Sequence, residues 1–407
     1  MAININAKTT GVGGLETSAD NSGNINIQSG GSTVMSVTSS GVAVTGSFSQ
    51  NGAVYSTQPT FRNLIINGDM RIAQRGTSVA GIGGNGLNTV DRFTRELSAG
   101  GNWTMSQDAD VPPGQGFAYS MKYLCTTANA SLGSSSYFLI ESRNEGQNFQ
   151  HLKYGTANAE SVTLSFWVKT NKTGTYTLEA FQADANRNKA HTYTINSANT
   201  WEKKIITIGG DTSGVINNDN GDGYRISWWL VAGTDFTSGT LATSWSNIVN
   251  ANRVSSSQVN LADSTSNYIN ITGVQLEVGS TATEFEHLPV DVELARCQRY
   301  YQKIEANTSQ YFDSGWVYTS SNFAMIHTWT VPMRIAPTSM DTTGTASDYR
   351  VAYAATGTPC TSIPNLNQTG VSAARIHFPT ASVLTVGHAA AGFTNSSNAY
   401  LGFSAEL

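Results

Sequence analysis

Between residues 162 and 169 hydrophobic and polar side chains alternate without a break. Val162, Leu164, Phe166 and Val168 fall on one face, and Thr163, Ser165, Trp167 and Lys169 on the other. A period of two is that of a half-buried strand. Similar runs predict strands over 175–181, 201–208, 224–231 and 269–278. Turn formers such as Lys172-Thr173-Gly174 and Asn218-Asp219-Asn220-Gly221 separate them. No helical period intervenes, so residues 61–288 read as an antiparallel jelly-roll sandwich.

A single short helix is expected over 289–303. Pro289 suits its first turn, Asp291 and Glu293 its positive end, and Arg296, Arg299 and Lys303 its negative end. Leu294, Cys297 and Tyr301 form its packing stripe. Residues 304–407 return to β patterns, near 323–331, 374–378 and 400–403, and predict a small C-terminal β domain.

The first sixty residues carry only brief apolar bursts between glycines: Ile25 and Ile27, Met35 and Val37, Val42 and Val44, then Phe48. So short a chain cannot bury such narrow faces against itself. Three copies wound about one axis share a core, which predicts an intertwined β stalk and a homotrimer. The whole chain therefore reads as all-β.

Composition agrees. Charged residues are 13% of the 407, about half the usual share, while 10% aromatics exclude general disorder. Net charge is −5 and no Lys/Arg run occurs, so no nucleic-acid partner is expected. Cys125, Cys297 and Cys360 are too dispersed for a zinc ribbon or a disulfide framework. Neither an export signal nor an apolar run of membrane-spanning length is visible, so synthesis in a cytoplasm without membrane insertion is expected.

Six stretches carry a resemblance: NLIINGDMRIAQR (63–75), TVDRF (89–93), LSFWVK (164–169), NTWEKK (199–204), ITGVQLEVG (271–279) and CQRYY (297–301). In this order the chain resembles bacteriophage tail-fibre and appendage proteins, and residues 1–60 resemble their virion-attachment ends. The NGDM and VQLE strands also resemble the terminal strands of carbohydrate-binding jelly rolls. These resemblances imply a tail appendage of the virion, trimeric assembly, docking to baseplate or tail proteins through residues 1–60, and a host-surface polysaccharide as ligand. The jelly-roll likeness further implies a structural calcium between the terminal strands, at Asp69 and Glu277.

Sugar binding needs aromatic platforms beside hydrogen-bonding groups. Trp167, Tyr224, Trp228, Trp229 and Trp245 are the candidate platforms, and Gln182, Arg187 and Asn186 the candidate polar contacts. Core or trimer-interface packing is the competing role for each ring. Trp228 and Trp229 must point to opposite faces of their strand, so no more than one belongs to the core.

Catalysis finds little footing. Neither a G-x-S-x-G elbow nor an HExxH occurs, and the six histidines are scattered. Gly81-x-Gly83-x-x-Gly86 lacks the strand-to-helix setting of a dinucleotide site, and the Asn218–Gly223 run has Trp229 where a calcium loop needs glutamate. Glycoside hydrolysis needs two carboxylates across a cleft, and pairings among Glu179, Asp184, Asp211 and Asp235 are arbitrary. The expectation is a non-enzymatic adhesive fibre subunit. Its rivals are a purely structural baseplate or head-decoration fibre and a polysaccharide depolymerase.

Overall fold

Strand Val162–Thr170 forms as its alternation predicts, and the strands around it build one sheet of a sandwich. The computed structural model describes residues 61–407 apart from Asn88, 306–309 and Ala355, and within the first sixty residues the strands named below together with the hairpin Phe48–Gln50 and Ala53–Tyr55. Two compact units result, 1–60 and 61–407. The fold is nearly all β, with mostly antiparallel sheets. Among the described residues no helix is long and apolar enough to cross a membrane.

In the larger unit a six-stranded sheet runs in the order Glu202–Ile208, Val162–Thr170, Tyr268–Val278, Ser120–Thr127, Asn102–Asp108, Ser78–Ile82. It faces a seven-stranded sheet ordered Ser246–Asn247, Arg187–Ile195, Gly174–Gln182, Asp222–Ala232, Tyr137–Glu145, Phe93–Ser98, Gly86–Leu87. Rings from the two sheets meet between them: Phe166 lies edge-on to Trp228 at 5.7 Å, and Trp103 lies 4.9 Å from Phe138. Burying these rings together with the aliphatic side chains between the sheets drives the sandwich to form.

The helix is shorter than its charge pattern predicts. It spans Val290–Gln298, with Asp291 and Glu293 in the first turn and Arg296 in the last. Tyr301–Glu305 is instead a strand, paired with Tyr400–Ser404. Cross-strand pairing of Tyr301 outweighs the helical pattern, and Tyr300 joins Cys297, Ile66 and Ile72 in a small core at the helix end.

Downstream, a seven-stranded sheet ordered Thr356–Pro359, Tyr349–Tyr353, Ala389–Thr394, Tyr311–Thr319, Asn322–Thr328, Ala373–Pro379, Asn365–Thr369 packs with a three-stranded sheet over a second core. Polar contacts tie this region to the sandwich. Glu406 pairs with Arg75 and Arg92, and Arg334 donates to the carbonyls of Asn220, Ala405 and Glu406. The guanidinium of Arg92 stacks 3.4 Å over Tyr300 and that of Arg75 lies 3.6 Å over Tyr301. The Asn218–Gly223 run thus meets Arg334 through Asn220 and leads into a strand.

The smaller unit holds a five-stranded sheet, Leu15–Ala19, Ile3–Ala7, Ile25–Ser29, Ser32–Thr38, Gly41–Val44. Its register aligns aliphatic positions: Ile3 with Ile25, Ile5 with Ile27, Ile25 with Val37, Ile27 with Met35, and Val37 with Val42. Partners in register share a face. None of the side chains described there is buried, and Ile25 and Val42 are 40% and 59% exposed.

Asp91, in the TVDRF stretch, is buried and accepts bonds from the Gln74 amide and side chain. Burial pushes its carboxyl up to about 6, against a weaker opposing pull from Gln74. The folded chain keeps this proton where the unfolded chain loses it, so stability falls as pH rises from about 4 to 6 and stays lower above. The stability difference between wild type and Asp91→Asn is expected to drop by about 3 kcal/mol between pH 4 and 7. Urea titrations at both pH values check this, and a difference independent of pH would contradict it.

Candidate functional site

Trp228 and Trp229 do point to opposite faces. Trp228 lies inside the sandwich core. Trp229 lies on the outer face of the seven-stranded sheet, where Leu139, Val254 and Phe236 cover it. Register fixes its neighbours: Leu139 beside Trp229, and Glu141, Ser227 and Glu179 in one row across three strands. The segment 234–254 folds back over this face and brings Phe236, Asn250 and Arg253 to it. Tyr137 stands edge-on to Phe236 at 5.5 Å. Together Glu96, Tyr137, Leu139, Glu141, Arg225, Trp229, Phe236, Asn250 and Arg253 line a groove of about 370 Å³.

Charge pairs arm this groove. Glu179 is fully buried; Arg253 donates to it from Nε at 2.9 Å and Nη2 at 2.8 Å, Trp229 Nε1 at 3.1 Å, and Asn188 at 2.8 Å. The same guanidinium lies 4.9 Å over the Trp229 ring. Glu141 accepts from Arg143 Nε and Nη2 at 2.9 and 2.7 Å and from the Ser227 hydroxyl at 3.0 Å. Arg225 is held by Asp222 at 2.6 Å. Glu141 and Glu179 flank Ser227 two strands apart, about 9–10 Å backbone to backbone. Every carboxylate oxygen of the two already accepts at least one side-chain hydrogen bond, and Glu141 Oε1, which takes only the Ser227 hydroxyl, keeps room for a second.

The other residues singled out from sequence separate into distinct settings. Tyr224 is fully buried in the core, stacked on Phe149 at 5.1 Å. Trp245 packs against that core with its indole N–H on the Gly209 carbonyl. Gln182 and Arg187 come together on Asp211, at 2.6 Å each, and Arg187 also reaches the Trp245 carbonyl. Burial would raise the Asp211 carboxyl, but the Arg187 guanidinium and the backbone amides of Ser213 and Gly214 outweigh it and hold the group below its usual range. Trp167 is half-buried on the outer face of the six-stranded sheet. Asp69 pairs with Arg71, while Glu277 accepts from Gln275 and Thr283. Among the described residues no group of three or more His, Cys, Asp or Glu is placed to hold a metal.

Sequence reasoning missed Tyr137, Phe236, Glu141, Arg225 and Arg253. One signal was present: a strand carrying Trp228 inward and Trp229 outward requires a second covering layer. In the C-terminal region a shallower hollow of about 560 Å³ lies over Ala389, Ala390 and Ala391, bordered by Tyr311, Arg350, Tyr353 and Phe393.

No protein-family model matches the chain, and no curated protein matches it. Several solved structures are partly similar. The enzymatically active domain of tailspike protein 4 from bacteriophage CBA120 aligns with 13% identity over 54% of this chain at a TM-score of 0.27. The alignment spans 22% of that tailspike chain. A putative sugar binding protein from Bacteroides thetaiotaomicron aligns with 10% identity over 53% of this chain and 100% of its own, at 0.29. The family 11 carbohydrate-binding module from Clostridium thermocellum, in complex with a β-1,3-1,4-mixed-linked tetrasaccharide, aligns with 10% identity over 51% and 98%, at 0.26.

Proposed function

We propose that the chain is a non-catalytic adhesion subunit, a homotrimeric bacteriophage tail fibre that docks to the virion through residues 1–60. It holds a host-surface glycan in the groove over Trp229. The observation that carries this reading is the combination, in one groove, of aromatic walls and pre-set charge pairs. Tyr137 and Phe236 offer apolar faces to sugar C–H groups, while Glu141, Arg225, Asn250 and Arg253 offer acceptors and donors to hydroxyls. The buried Glu179 fixes Arg253 before any ligand arrives, which reduces the ordering cost of binding. Acids and bases in the groove are paired with one another, so a polyhydroxylated neutral chain suits it better than a polyanion. Retaining or inverting hydrolysis needs an acid and a second carboxylate free to act, and the arginine pairs that hold Glu141 and Glu179 support the binding reading over that one.

Tyr137→Ala and Asn250→Ala test this. Tyr137→Ala is expected to weaken binding of purified host polysaccharide about tenfold or more, with Asn250→Ala giving a smaller loss and both variants melting like wild type. Affinity electrophoresis in polysaccharide-containing gels measures it. Unchanged mobility shifts would remove the groove from consideration. A well-folded wild type that binds no host polysaccharide would favour a purely structural fibre, and release of reducing ends would favour a depolymerase.

A further inference from the structure

The six-stranded sheet carries a second constellation on its outer face, around Trp167. Along strand Tyr268–Val278, Ser165 pairs with Gln275 but Trp167 with Thr272, so one extra residue is inserted opposite Phe166. Gly273 fills that place at φ +61°, a bulge that glycine accepts without strain. A Cβ there would stand 2.6 Å from Phe117 Cζ and 3.1 Å from Trp167 Cδ1, so the bare backbone is what lets both rings approach. Gly116, at φ +79°, passes under His287 in the same way, 3.2 Å from its Nε2 to an added Cβ.

The result is a ring cluster drawn from three separate segments. Phe117 lies 5.0 Å from Phe285 and 5.3 Å from His287, and Phe285 lies 4.9 Å from His287. With Trp167 these rings enclose a pocket of about 170 Å³, rimmed by Gln115, Ser165, Lys203 and Glu284. Lys203 stands directly opposite Trp167 across the strand pair. Unlike the groove, this rim is uncommitted: among the described residues the side chains of Gln115, Lys203, Glu284 and His287 make no hydrogen bond or ion pair. Unmatched donors and acceptors around apolar rings are what a single sugar requires, one ring face to stack and hydroxyls to satisfy. The volume is too small for a chain to pass through and falls below the range of pockets that hold larger ligands.

We propose that the Trp167 pocket is a second, independent glycan site that takes one terminal pyranose residue. Its ring stacks on Trp167, Glu284 accepts from its hydroxyls, and Lys203 and Gln115 donate to them. Each chain would then grip a glycan at two places, a segment in the groove and a chain end in the pocket.

The test uses the full chain and four probes at millimolar concentration: the methyl glycosides of α-glucose, α-galactose, α-mannose and N-acetyl-β-glucosamine. Saturation-transfer NMR reads binding. At least one probe is expected to bind, with affinity reduced about tenfold or more in Trp167→Ala and in Glu284→Gln and retained in Tyr137→Ala. Among the described residues the Glu284 side chain has no partner, so its variant keeps the test valid if Trp167→Ala folds poorly. Absence of binding by all four probes overturns the proposal, as does binding that survives both variants. Polysaccharide retention that depends on Tyr137 but not Trp167 would sustain the groove while removing the pocket.

Discussion

Arg299→Met is expected to destabilise the 61–407 unit by about 3–5 kcal/mol, and Glu145→Gln by only about 1–2 kcal/mol. Glu145 is fully buried, and Arg299 meets both of its oxygens, from Nε and Nη2 at 2.7 Å each. Tyr300 and Gln147 complete its shell. Removing the arginine strands a carboxylate in the interior. Removing the carboxylate leaves a guanidinium that is 34% exposed and draws on water instead. The asymmetry follows from which partner is buried. All eight tryptophans lie beyond residue 60, so tryptophan fluorescence in urea reports this unit alone. Equal losses in the two variants would mean that the pair does not act as described.

The same pair sets an acid limit. Burial alone would raise the Glu145 carboxyl, but the bonds from Arg299 and Tyr300 outweigh it and hold the group below the usual glutamate range. Its contribution is present above the unfolded pKa and is lost as pH falls through the folded one. Asp91 acts in the opposite sense and over a higher window, between about 4 and 6, where the Glu145 contribution is still largely in place.

How far such roles could be read in advance depended on burial. Strand Val162–Thr170 was legible because its outer face keeps Thr163, Ser165 and Lys169. Strand Tyr137–Glu145 was not: segment 234–254 covers its outer face, so Leu139 and Glu141 are buried there as deeply as Phe138 and Ile140 on the inner one. Alternation disappears when both faces are covered. The CQRYY stretch stood out as a string, yet its work is tertiary: Arg299 and Tyr300 hold Glu145, and Tyr301 pairs against Ser404. Gln182 and Arg187 looked like polar contacts for a ligand, and nothing local announced that Asp211, far along the chain, meets both. The Trp167 pocket was half legible. The ring itself was evident, but Phe117, Phe285 and His287 reach it only through the two left-handed glycines.

Deleting residues 1–60 is expected to weaken adsorption to cells by about 10²–10⁴-fold while leaving the affinity for a soluble oligosaccharide unchanged. The two readouts separate because the first depends on how many sites are tethered together and the second on one site alone. In the five-stranded sheet the register aligns aliphatic residues strand after strand, and Ile25 and Val42 remain exposed. One chain leaves these positions open to water, whereas three chains sharing an axis would close them against one another. Sedimentation of the intact chain and of the 61–407 fragment, beside adsorption assays on the same samples, decides the point. A monomeric intact chain, or a fragment that adsorbs as strongly as the whole, would take trimerisation away from this segment. If only the intact chain sediments as a trimer and the per-site affinities agree, adhesion is a property of the 61–407 unit and its strength a property of residues 1–60.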